Sequence, residues 1–132
     1  MMKMPPFLDS LLFSPRWAPL RIAGFGLVWL TVTWLALTPH PPRGASLGWD
    51  KANHASAFAA LTLLARLAWP RRSWKLVALA MLAYGGAIEL IQSQIPERDG
   101  EWLDLLADAV GISIGLAVHA LLQRLGRHAA RG

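Results

Sequence analysis

Residues 84–108 read YGGAIELIQSQIPERDGEWLDLLAD. An apolar run carrying Glu89 and Gln92 enters a short charged turn, and a second apolar run carrying Asp104 and Asp108 leaves it. On a wet surface such residues are ordinary. Within segments apolar enough to enter a bilayer, each ionisable group is costly and marks a protein-facing, hydrated or functional position. Long apolar segments joined by short charged turns predict an all-α polytopic membrane protein.

Working outward from that stretch, the composition agrees. Of 132 residues, 55% are hydrophobic and only 16% charged, with seven Trp and a mean hydropathy of +0.37, which is too apolar for a water-soluble domain of this length. The absence of Cys excludes disulfides, thiolate metal sites and Cys nucleophiles. The net charge of +5 invites a nucleic-acid reading. That reading fails, because the basic residues sit in clusters between apolar runs instead of forming one basic face.

Four spans are expected, at about 20–37, 51–69, 75–95 and 102–122, forming a four-helix bundle in a single domain over 1–132. Ahead of them, Phe7, Leu8, Leu11 and Leu12 recur at helical spacing and predict a short interfacial helix that Pro15 and Pro19 stop. No small-x-small cleavage pattern follows the first apolar run, so that run is read as a retained span. It ends at TPHPPRG, where three prolines forbid helix continuation. The second span presents a small-residue side with Ala52, Ala55, Ser56, Ala59 and Ala60, and the fourth carries Gly111 and Gly115 as a GxxxG ridge. The basic tail QRLGRHAARG is expected to fray.

Orientation follows from the Lys and Arg distribution. With four spans, ten of the 13 fall on the side of the two termini, and only Arg43, Lys51 and Arg98 fall on the other. The positive-inside rule then places both termini in the cytoplasm.

This topology gathers the polar residues at the extracytoplasmic end. Asp50 and Lys51 open the second span and His54 lies one turn deeper; Glu89 and Gln92 share a face near the end of the third; Glu101, Asp104 and Asp108 share a face of the fourth; Arg98 sits in the turn. An outward-facing pocket spares all of them contact with lipid. Glu89 lies deep enough to need protonation, pairing or hydration, and Arg98 is its natural partner. Simpler roles compete: Asp50 suits an N-cap, Lys51 a snorkelling position, His54 a packed site on an alanine-rich face, and Glu97, Asp99 and Glu101 a solvated loop face.

DKANHASAFAALTLL (50–64) and AIELIQSQIPERDGEWLDLLADAVGISIG (87–115) resemble the signatures of the VanZ-like family of small membrane proteins. The family pattern has Asp-Lys with a following His, Glu with Gln three residues on, Arg in the turn, and Asp-x-x-x-Asn before a Gly-containing last span. It maps onto Asp50, Lys51, His54, Glu89, Gln92, Arg98 and Asp104, and Asp108 stands where the pattern has Asn. The resemblance implies a multi-pass protein of the bacterial cytoplasmic (inner) membrane with a cell-envelope role. It carries a family association with teicoplanin-type glycopeptide resistance, and supplies no agreed reaction.

Three functions are weighed. In the first, Lys51, Arg98 and His54 hold an anionic lipid headgroup or lipid-linked precursor, oriented by the carboxylates, so the ligand set is Asp50, Lys51, His54, Glu89, Gln92, Arg98, Asp104 and Asp108. In the second, Glu89, His54 and Asp104 are catalytic residues of an intramembrane enzyme acting on a lipid-linked phosphate or ester, in which Glu89, Asp104, Asp108 and His54 offer donors for a divalent metal that activates water, or Glu89 without metal acts as general base. No motif such as HExxH supports the metal, so no metal ligand is assigned, and the cofactor is undetermined. In the third, the charges only join helices in a structural subunit of an envelope complex, a weak reason to bury so many. Membrane lipids, not nucleic acid, are the expected partners.

Overall fold

The computed structural model describes residues 2–42, 44, 48, 50–98 and 100–130; Arg43, Asp99 and Arg131, used in the reading above, lie outside them. The described chain is all-helical: α1 (Pro6–Phe13), α2 (Ala18–Leu37), α3 (Asp50–Ala68), α4 (Trp74–Gln92) and α5 (Trp102–Ala130), with a 3-10 turn at Pro15–Trp17.

The helix limits follow from local chemistry. Pro6 and Pro19 stand in the first turns of α1 and α2, where a missing N–H costs nothing. Ser73 caps α4 by accepting a hydrogen bond from the Leu76 N–H at 3.1 Å. α4 ends at Gln92, three residues short of the expected 95, because the N–H groups of Gln94 and Ile95 turn back to the carbonyls of Ile91 and Gln92. α5 runs eight residues past the expected Leu122, so the tail does not fray through 130. The extension is docked: α1 approaches Gly126 so closely that a Cβ there would lie 2.5 Å from Asp9 Oδ1.

Among the described residues, three helical segments are long and apolar enough to cross a membrane: Pro15–Leu37, Trp74–Gln92 and Trp102–Arg127. α3, expected as the second span, is less apolar because Asp50, Lys51, Asn53 and His54 crowd its first turns. It is also the most enclosed helix. α3 packs along α5 and touches α2 and α4, and its Phe58, Leu61 and Ala65 form the core with Val77 and Met81 of α4 and Ile112 of α5. The outward faces carry exposed Leu27, Leu30 and Trp34 on α2, Leu79 and Leu90 on α4, and Leu121 on α5. Water-soluble domains seldom leave so much apolar surface uncovered.

The α3–α5 contact sets the register of everything above it. The two helices run in the same direction, with Gly111 against Ala55 and Gly115 against Ala59. A Cβ at Gly111 would overlap the Ala55 carbonyl, and one at Gly115 would lie 2.6 Å from the Ala59 carbonyl oxygen. The GxxxG ridge thus meets the small-residue side of α3 backbone to backbone, as expected from the sequence. At the other end, buried Arg21 of α2 donates from Nε to the Leu67 carbonyl and from Nη1 to the carbonyls of Leu11 and Ser14, each at 2.9 Å. One guanidinium therefore caps the ends of α1 and α3 together.

Candidate functional site

α3 and α5 both begin at the same end of the molecule, and the positive ends of their macrodipoles converge there. The residues the sequence placed in that region are carboxylates: Asp50 in the first turn of α3 and Asp104 in the first turn of α5. With Gly111 fixed on Ala55, the preceding turns bring Lys51 and His54 of α3 over Asp104 and Asp108 of α5.

Lys51 is enclosed by acids. Its Nζ lies 2.7 Å from Glu101 Oε2 and 3.7 Å from Asp50 Oδ2, and it also pairs with Asp104 Oδ1. His54 lies between carboxylates on both ring edges. Nδ1 is 2.9 Å from Asp108 Oδ1 and 4.0 Å from Glu89 Oε1, and Nε2 is 3.5 Å from Asp104 Oδ2. The Glu101 backbone N–H donates to Glu89 Oε2 at 2.9 Å, tying the start of the α5 segment to α4. Burial is graded: the side chains of Asp108 and Asp104 are 0% and 3% exposed, while Asp50 and Glu101 form a half-open rim. Asp108 reaches this depth because α4 has Gly85 opposite it, where a Cβ would lie 2.5 Å from Oδ2.

Two oxygens of this cluster are buried with no hydrogen-bond partner, Glu89 Oε1 and Asp108 Oδ2. Two overlapping groups also have the spacing of metal ligands, Asp50–His54–Asp104 and His54–Glu89–Asp108, each with its donor atoms within 4.8 Å of one another.

Gln92 and Arg98 are engaged elsewhere. Pro39, Pro41 and Pro42 have no N–H, so the carbonyls of Leu35, Leu37 and Thr38 lose their usual i+4 donors. Arg98 supplies the replacement, donating from Nη2 to the Leu35 carbonyl and from Nε to the Thr38 carbonyl at 3.0 Å. Gln92 Nε2 donates to the Ala36 carbonyl at 2.8 Å. The expected Arg98–Glu89 pair is therefore replaced by a cap on α2, because two of these orphan acceptors, the carbonyls of Leu35 and Thr38, draw the guanidinium away.

Beside the cluster lies a cavity of about 610 Å³ between α2, α3 and α4. Val32 and Leu35 of α2, Phe58 of α3 and Ile88 of α4 supply apolar walls, and Asp50 and His54 mark its polar end. It is amphipathic, and His54 belongs both to this cavity and to the carboxylate cluster.

A sequence model of the VanZ/LLP1 family matches residues 22–123, from the start of α2 to near the end of α5. The chain belongs to the VanZ/LLP1 family. No curated protein and no solved structure matches it. In this VanZ/LLP1 protein Asp50, Lys51, His54, Glu89, Asp104 and Asp108 converge, whereas Gln92 and Arg98 border the same cavity while capping α2. Sequence reasoning missed two members. Glu101, assigned to a solvated loop face, ties Lys51 through its side chain and Glu89 through its backbone. Gly85 admits Asp108, and its Gly85-Gly86 pair four residues before Glu89 was the available signal.

Proposed function

We propose that this VanZ/LLP1 protein is a four-span protein of the bacterial cytoplasmic membrane, both termini inside, which receives the polar end of a membrane lipid or lipid-linked envelope precursor where α3 and α5 begin. Support for α3 as the fourth span is its partner. It runs along α5, itself apolar enough to cross, and its 19 residues extend about 28 Å at the usual helical rise, close to the hydrocarbon thickness. The Lys and Arg bias supports the orientation.

One observation carries the ligand class: a cavity with one apolar wall-set and one polar end suits an amphiphile and little else. The geometry alters the roles first expected. Lys51 is shared among three carboxylates and Arg98 is spent on carbonyls, so neither is left as a direct anion clamp. Contact with the headgroup falls to His54 and the rim around Asp50. The envelope role and the association with teicoplanin-type resistance come from the family likeness. Native mass spectrometry of the detergent-purified chain tests the reading. Val32→Trp, which fills the cavity, should cut co-purifying lipid about tenfold, whereas Leu30→Trp on the exposed face of α2 should not. Equal lipid in both variants and wild type would remove the cavity as the binding place.

A second reading has its own support. His54 is held at Nδ1 by a buried aspartate and opens on the same cavity, which is an arrangement suited to acid–base work on an ester or phosphate. Release of a water-soluble headgroup from a bound lipid, abolished in His54→Gln, would establish turnover; retention of intact lipid over the same period would favour binding alone.

A further inference from the structure

The cluster holds five carboxyl groups, Asp50, Glu89, Glu101, Asp104 and Asp108, against one ammonium and one imidazole. Lys51 sits on the outer side, among Asp50, Glu101 and Asp104. The inner side, between α4 and α5, has no Lys or Arg among the described residues, and it is there that Glu89 Oε1 and the fully buried Asp108 Oδ2 lack a hydrogen-bond partner. Buried carboxylates of this kind call for protons or for a metal ion.

We propose that His54 Nδ1, Glu89 Oε1 and the Asp108 carboxylate bind a divalent first-row transition cation, Zn²⁺ or Mn²⁺. Three features of the geometry carry this. First, metal–nitrogen and metal–oxygen bonds of about 2.0–2.2 Å in tetrahedral array put neighbouring donor atoms about 3.3–3.5 Å apart. The His54 Nδ1 distances of 2.9 Å to Asp108 and 4.0 Å to Glu89 bracket that value, so small side-chain shifts complete the site. Second, a ligating histidine ordinarily gives its other ring N–H to a carboxylate. Here Nε2 faces Asp104 Oδ2 at 3.5 Å, and Asp104 is itself held by Lys51. Third, one imidazole with two carboxylates suits transition cations, whereas Ca²⁺ takes six to eight oxygens. Three protein ligands leave a coordination position free.

The inference rests on the reading of the pocket as a ligand site, and it supplies what that site lacks. With Lys51 and Arg98 engaged, a bound cation at His54 gives an anionic headgroup a positive partner at the polar end of the cavity. In the enzymatic reading the same ion would activate water.

The test uses the full chain in detergent, stripped with chelator and titrated with Zn²⁺ and separately with Mn²⁺, by calorimetry and by the paramagnetic resonance signal of bound Mn²⁺. One ion per chain is expected, with affinity falling at least tenfold in Glu89→Gln and in Asp108→Asn, and staying within twofold in Glu97→Gln, a surface control paired with His40. Should Asp108→Asn fail to fold, Glu89→Gln and a metal-induced rise in wild-type Tm still decide the matter. Absence of stoichiometric binding in wild type would mean that protons alone neutralise the cluster, and the proposal falls. Binding that survives Glu89→Gln but is lost in Asp50→Asn would move the ion to the outer group and overturn this assignment. Lipid measured in the same preparations separates the two readings: lipid without metal sinks the ion and keeps the pocket, and metal without lipid does the reverse.

Discussion

At the scale of single residues, Arg98 shows how a motif position can be read correctly in place and wrongly in duty. Its partners are backbone oxygens that proline has stripped of donors. Loss of hydrogen bonds from a charged donor costs about 1.5–3 kcal/mol. Arg98→Ala should therefore lower Tm in detergent by several degrees, while Arg98→Lys, which keeps one donor but not the fork, should fall between. A Tm unchanged in Arg98→Ala would show that water caps α2 equally well. Gln92 and Arg98 were legible as polar residues in the right region; their acceptors were not, because backbone carbonyls leave no mark in a side-chain pattern. Glu101 was misplaced for a related reason. Sequence spacing put it on the Asp104 face, but only the fold shows that Lys51 lies within 2.7 Å of it.

At the scale of elements, the α3–α5 pair governs the site. Its small-residue faces were visible in the sequence, and the fold joins them in parallel with Gly111 on Ala55. Gly111→Val should push the helices apart, at about 1–3 kcal/mol for an overpacked contact, and disperse the cluster built on their first turns. Thermal unfolding would report the first effect, and loss of ligand in wild-type-like protein the second. Gly26 on α2 is the contrast, with nothing within 4 Å of an added Cβ. Gly26→Ala should be neutral or stabilising by up to about 1 kcal/mol. If the two glycines responded alike, close approach would not be the reason for Gly111. The helix limits were less legible than their existence: α5 runs to Ala130 because α1 lies against its last turns, a contact between residues more than a hundred positions apart in the chain.

At the scale of the whole molecule, three helices declare themselves as membrane-crossing by length and apolarity, and α3 does not. The chain's lack of cysteine makes the remaining question direct to test. Single cysteines at exposed positions 44 and 72 should label oppositely in intact cells. Gly44→Cys should react with an impermeant maleimide from outside, and Arg72→Cys only after the membrane is opened. Labelling of both from outside would mean that α3 does not cross. Charge bias carried the orientation predicted for four spans, whereas hydropathy gives three among the described residues, because Asp50, Lys51, Asn53 and His54 dilute the apolarity of α3.

The proline-ended α2 also has a history in time. Its last carbonyls leave the ribosome early, and Arg98, the side chain that closes two of them, follows the acceptors by 60 and 63 positions. At ordinary elongation of about 5–20 residues per second, that is a wait of roughly 3–12 s. During that interval the end of α2 must stay at the water boundary or be sheltered by the insertion machinery, because lipid offers those oxygens no donor. The residue that ends the wait stands three positions before Glu101. Closure of the end of α2 and assembly of the polar site are thus completed by the same short turn.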